Sequence, residues 1–204
     1  LAAGFLTLPA AAGLFVLAAP IISLLFERGA FGAEDTAITA HLLQAFCLGL
    51  PAFVFIKALQ PSFFARQDTR APFIDGAIGV AVNVSLSLAF FPIYGAVAIA
   101  LATVAAGYVT LILMLVRLAR RNVWHLRGLV LARLLAQSLA AAGMAGALQL
   151  VMQAVPPQTQ PLGIWLLGMI GFGGLGFVVS AVVLGGVPRQ AMFDALGRLR
   201  RRQR

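Results

Sequence analysis

Acidic side chains are the scarcest class in this sequence: six Asp and Glu stand against fifteen Lys and Arg in 204 residues. Charged residues of both signs make up only 10% of the chain, where a soluble domain typically carries about 25%. With 61% hydrophobic residues and a mean hydropathy of +0.98, too much apolar surface is present for any water-soluble fold to hide. That leaves an integral membrane protein. Cysteine is nearly missing. Cys47 is the single one, so no internal disulfide forms, and its apolar setting reads as a small buried hydrophobe. Catalytic signatures are missing as well. No HExxH, paired-cysteine metal site, phosphate-binding glycine loop or G-x-S-x-G occurs, and an enzyme is not expected. His41 and His125 lie far apart at span edges and read as interfacial residues rather than ligands. Neither a voltage-sensor arginine ladder nor a carbonyl-filter signature argues for a channel.

What is there is a series of long apolar runs. A helix needs about 20 apolar residues to cross about 30 Å of hydrocarbon. By that ruler six spans are expected, at residues 1–26, 37–59, 73–91, 96–116, 129–155 and 162–187. The fold class is therefore all-α, a polytopic bundle with short connections. Pro9 and Pro20 are expected to kink the first span, and Pro51 the second. The chain opens on Leu1 and enters an apolar run without the basic start of a signal peptide. It is read as a piece of a longer protein.

The net charge of +9 is distributed by topology. Arg66, Arg70, Arg117, Arg120, Arg121, Arg127 and the six arginines after Pro188 fall in alternate connections and the tail. The other three connections hold one cation, Arg28, beside Glu27, Glu34 and Asp35. The basic side is cytoplasmic by the positive-inside rule, so both termini are expected there. Nucleic acid is excluded as a partner, because the arginines flank apolar spans and no binding motif accompanies them. Membrane lipids are the expected surroundings. Residues 188–204 are read as an amphipathic basic tail on the cytoplasmic leaflet.

Polar residues inside the runs are few. Lys57 lies within about one turn of the cytoplasmic end, where it either snorkels to the headgroups or faces a hydrated cavity and an anionic substrate. Asn83 and Ser87 share a face of the third span at i, i+4, and Thr103 and Thr110 share a face of the fourth. They form either interhelical hydrogen bonds or an ion or substrate site. Asp75 is explained by the positive end of its helix. Asp35 and Thr36 offer an N-cap to the second span. In the fifth span, Ser138, Ala142 and Gly146 form a small-residue stripe suited to close packing. The polar stretch from Leu59 to Pro72 reads as a tight charged hairpin, with Asp68 set between Arg66 and Arg70 and Pro72 in the first turn of the next helix.

Three stretches then resemble one family. Leu25-Phe26-Glu27-Arg28-Gly29-Ala30-Phe31, Leu48-Gly49-Leu50-Pro51 leading to Lys57, and Pro61-Ser62-Phe63-Phe64-Ala65-Arg66-Gln67-Asp68-Thr69-Arg70-Ala71-Pro72 look, in order and spacing, like the MurJ/MviN lipid II flippases. The resemblance covers residues 1–121 through motifs, and the rest through hydropathy and the basic tail. It implies two six-helix lobes followed by a helix pair that forms a lipid groove. Residues 1–121 would supply most of the second lobe, residues 122–187 the groove pair, and the first lobe would be missing from this chain. The implied substrate is lipid II, moved across the bacterial inner membrane. Lys57, Arg66, Asp68 and Arg70 are the candidate substrate or gating residues. Asn83, Ser87 and Thr103 are the candidate ion or polar-core site. No cofactor is expected. The resemblance allows Na+ or H+ coupling, but Ser87 stands where sodium-binding members carry a carboxylate. Another exporter of the same superfamily, or a membrane scaffold, are the alternatives. Connections of no more than about a dozen residues argue against the scaffold.

The six-span topology predicts opposite sidedness for cysteines introduced at Asn122 and Pro157 and labelled by an impermeant thiol reagent. Labelling of both from one side would refute it.

Overall fold

The computed structural model describes residues 2–121, 128–155 and 161–183. Seven helices account for nearly all of them: α1 (Ala2–Val16), α2 (Ala18–Phe26), α3 (Ala33–Phe64), α4 (Arg70–Tyr94), α5 (Ala96–Arg120), α6 (Gly128–Ala154) and α7 (Leu162–Val183). Five are long and apolar enough to cross a membrane, and the bent pair α1–α2 makes a sixth crossing if counted as one span. The helices pack as a row, in the order α4, α5, α3, α1, α6, α7, with α2 laid against α3.

The first span is not one continuous kinked helix. It breaks at Leu17, and α2 turns 70° away from α1. Pro20 sits in the first turn of α2, so it has no N–H for the carbonyl of Val16 and its ring crowds that carbonyl. From α3, the Gln44 amide donates to the Phe15 carbonyl beside the break at 3.1 Å. Pro9, by contrast, lies within α1 without interrupting it.

α3 is longer than its apolar run. At 32 residues it extends about 48 Å, well beyond the hydrocarbon core. It takes in Pro51 and Pro61, so most of the stretch from Leu59 to Pro72 is helix rather than loop. The Tyr108 hydroxyl of α5 donates to the Leu48 carbonyl at 2.9 Å, just ahead of Pro51. At the other end, Asp35 does not cap α3 from outside. It stands in the first turn and accepts the Gly32 N–H at 3.1 Å.

The connection between α3 and α4 is short. The Asp68 N–H donates to Phe63 O and the Gln67 N–H to Phe64 O, the paired bonds of a Schellman turn. Gln67 takes the left-handed conformation that closes it, φ 56°. Phe63, 1% exposed, packs with Ala71, Met114 and Leu118 and fixes the turn against α5. Gly95 joins α4 to α5 at φ 57° and ψ −138°, a backbone only glycine adopts readily.

The apolar core lies at the other side of the row, where Leu17 meets Met144 and Leu148 of α6 and Trp165 and Phe177 of α7. The Trp165 indole donates to Val155 O at 2.9 Å and ties α7 to the end of α6. Ser138, Ala142 and Gly146 are all exposed, so the small-residue stripe faces away from the neighbouring helices. The buried face of α6 carries Ala140, Ala141, Met144 and Leu148 instead.

Candidate functional site

Polar chemistry concentrates along the α4–α5 contact. Near its middle, Asn83 Nδ2 donates to Thr103 Oγ1 at 2.9 Å. Thr103 Oγ1 donates onward to Ile99 O at 2.8 Å, and Ser87 Oγ donates to Asn83 Oδ1 at 3.1 Å. The structure thus brings the three expected polar-core residues together. Their spacing follows from helix periodicity: Asn83 and Ser87 on adjacent turns of α4 face Thr103 across the hairpin.

These groups do not suit a resident sodium ion. Each oxygen accepts or directs a proton within the cluster at hydrogen-bond distance, and none carries a formal charge. Placing a cation there would set an uncompensated charge in the membrane. Among the described residues no group of three or more His, Cys, Asp or Glu converges on one point.

One turn toward the basic end, Gly79 lies against Thr110. A Cβ at Gly79 would collide with Thr110 Oγ1, which is held by the Ala106 carbonyl at 2.9 Å. The two backbones approach closely because no side chain stands between them. A cavity of about 370 Å³ opens between α3, α4 and α5, bounded by Phe53, Ile56, Gly79, Asn83, Thr103 and Thr110.

Further along, Arg117 Nε donates to Asp75 Oδ1 at 2.8 Å. Asp75 is fully buried, while the Arg117 side chain stays 35% exposed. The helix dipole alone therefore does not explain Asp75, because a carboxylate out of water needs a paired charge. Removing Arg117 would leave that buried charge without its partner, which is destabilising.

At the turn, Arg121 Nη1 pairs with Asp68 Oδ2, and the Ala71 N–H donates to Asp68 Oδ1 at 3.0 Å. Asp68 does not sit between Arg66 and Arg70 as a local charge triad; it caps α4 and reaches across to α5. The Ala71 amide, and next the Arg121 guanidinium, hold its carboxyl below the ordinary carboxylate range. Arg66, Arg70 and Lys57 are exposed. Arg117 and Arg121 are the partners that the sequence reading missed. Both ion pairs are nearly symmetric about the Gly95 turn, as the register of an antiparallel hairpin requires, a register that shows only once the hairpin is formed.

A second cavity, of about 440 Å³, lies between α1, α6 and α7. Its lining includes Leu6, Gly13, Leu17, Met144, Leu148 and Met169 and is almost wholly apolar.

Comparison with known proteins decides the family. The sequence matches the family described as "Lipid II flippase MurJ" over residues 3–169. The chain belongs to the MurJ family. A probable lipid II flippase MurJ of Rhizobium meliloti (strain 1021) is 51% identical over 144 residues, covering 71% of this chain and 27% of the relative. One from Vibrio cholerae serotype O1 is 32% identical over 185 residues, covering 89% and 35%. Among solved structures, a lipid II flippase MurJ in an inward closed conformation superposes with a TM-score of 0.75 at 29% identity, covering 88% of this chain and 36% of that one. The chain therefore spans about a quarter to a third of the length of these MurJ relatives.

The lowered carboxyl pKa of Asp68 fixes the sign of one pH effect. Its contribution to the turn is complete above the unfolded value of about 3.9 and is lost as pH falls through the lower folded value. Protection of the Ala71 amide from hydrogen exchange should be flat from neutral pH down to about 5 and fall only below about 4. Asp68→Ala should show low protection throughout. A step near neutrality, or an unchanged acid profile in Asp68→Ala, would contradict the assignment.

Proposed function

We propose that this chain forms the C-terminal part of a transporter that carries lipid II, the undecaprenyl-diphosphate-linked peptidoglycan precursor, from the inner to the outer leaflet of the bacterial inner membrane by alternating access. Membership of the MurJ family, with a matching fold over most of the chain, is the observation that carries this reading. Residues 1–121 act as most of the second lobe, and residues 122–187 as the lipid-groove pair. A first lobe, outside this chain, completes the central cavity. Residues 188–204, which lie outside the described residues with residues 122–127, 156–160 and 184–187, act as the basic tail. The arginine-rich connections face the cytoplasm.

The chemistry of the substrate explains why such a device is needed. A diphosphate bearing sugars cannot enter hydrocarbon without a large desolvation penalty, so a hydrated, cationic path must shield it while two lobes rock around it. Lys57, Arg66 and Arg70 are exposed cations suited to meet the diphosphate near the cytoplasmic gate. Asp68, engaged by Arg121 and Ala71, serves that gate by holding the turn rather than by touching substrate. The apolar cavity between α1, α6 and α7 is suited to the polyprenyl tail. No covalent step is involved. The neutral Asn83–Ser87–Thr103 cluster supports a structural role for these residues, with no sodium-coupled step assigned to them.

Depletion of the full-length protein in cells, followed by measurement of lipid II accessible on the outer leaflet, tests the reading. Exposure should fall sharply and wall synthesis should stop; the Lys57→Ala variant should restore both less well than the unaltered protein. Unchanged exposure with normal wall synthesis would overturn the flippase assignment.

A further inference from the structure

α4 and α5 are fastened at four heights: Asp68 with Arg121, Asp75 with Arg117, Gly79 against Thr110, and Asn83 with Thr103. The other faces of α4 are largely open, and α4 barely meets α3 although a short turn joins them. Within this chain α4 is held chiefly by α5, through these polar and ionic contacts and the apolar packing of Ala71 against Phe63, Met114 and Leu118. The two ion pairs mark the basic end and differ in setting: the acid of Asp75–Arg117 is fully buried, whereas Asp68–Arg121 lies at the surface. Asp75 has no exposure, and its Oδ2 has no hydrogen-bond partner among the described residues. The Arg117 guanidinium is therefore what compensates its charge. Asp68 joins three elements at once, through its N–H to Phe63 O of α3, through Oδ1 to the Ala71 amide of α4, and through Oδ2 to Arg121, the residue that closes α5.

We propose that Asp75–Arg117 and Asp68–Arg121 form a lasting ionic clasp that makes α4, α5 and the α3–α4 turn a single body, which moves whole during transport instead of α4 peeling away from α5. Arg117 and Arg121 are then positioning residues: they set where the turn, and with it Arg66 and Arg70, stands relative to the substrate path. The inference rests on the transport reading above for its functional half.

Three physical points favour a lasting clasp over a gate that opens each cycle. Opening the inner pair strands a buried carboxylate whose other oxygen has no donor among the described residues. Arg117 and Arg121 lie one helical turn apart, so lifting α4 breaks both pairs together. Releasing Asp68 from Arg121 also disturbs the residue that caps α4 and closes the end of α3, so no free hinge remains at this turn.

The test uses the full-length protein in an otherwise cysteine-free background, with Thr69→Cys and Arg120→Cys beside the clasp. Bis-methanethiosulfonate reagents of graded length bridge the two thiols, and reductant releases them. The clasp predicts that the bridge forms in high yield and that bridged protein moves lipid II in vesicles at the unbridged rate. If bridging stops transport and reductant restores it, the clasp opens during the cycle and the proposal fails. A second arm needs no transport: adding Arg117→Gln and Arg121→Gln together should lower the bridging yield severalfold. An unchanged yield would show that the pairs do not hold the turn, and would also overturn the proposal. If the unbridged protein itself moves no lipid II, the transport reading falls while the yield arm still judges the clasp.

Discussion

A polar group carried into hydrocarbon has to be met by another polar group, and in this chain that requirement decides where α4 sits. A soluble helix is held by its buried apolar stripe. α4 buries little of its surface, and in lipid apolar burial supplies scant preference for protein over surroundings. Hydrogen bonds, close backbone approach and paired charges are left to do the work. They occur in order along one face, from Asn83–Thr103 through Gly79 and Thr110 to the two ion pairs.

The same requirement governs the proline interruptions. Each takes a backbone donor away from a membrane helix, and at two of them a neighbouring side chain donates to a carbonyl close by. Gln44 reaches Phe15 O near the Pro20 break, and Tyr108 reaches Leu48 O near Pro51. Both donors lie on helices that pack against the interrupted one, so a carbonyl beside each proline gains a partner from a neighbouring helix. Packing of α6 and α7 is different in kind. There α1, α6 and α7 meet through Leu17, Met144, Leu148 and Trp165 around an apolar cavity. The row of helices thus runs from a polar, tightly registered hairpin at α4–α5 to an apolar cavity between α1, α6 and α7.

Hydropathy made most spans legible, because each must bring its own run of apolar residues. It could not reveal the Leu17 break, since Pro9 and Pro20 look alike in sequence while only Pro20 interrupts the helix. It also stopped α3 at Leu59, because the polar residues beyond that point look like a loop although the helix continues to Phe64. The Asn83, Ser87 and Thr103 cluster was legible through periodicity within each span. The ion pairs were not, because their partners lie 42 and 53 residues apart. Asp75 also already had a local explanation at its helix terminus, and a sufficient local cause concealed a tertiary one.

The central claim is that polar pairing, rather than apolar burial, holds α4 on α5. A double-mutant cycle at Asn83 and Thr103 measures it most directly, from the thermal stability of the full-length protein carrying Asn83→Leu, Thr103→Val or both. Interhelical hydrogen bonds in membranes contribute about 0.6–1.7 kcal/mol. Each single variant should lose at least about that much, Asn83→Leu more because it also frees Ser87, and the double variant should lose clearly less than the sum, because both changes remove the shared Asn83–Thr103 bond. Strictly additive losses, or no loss at all, would contradict the account.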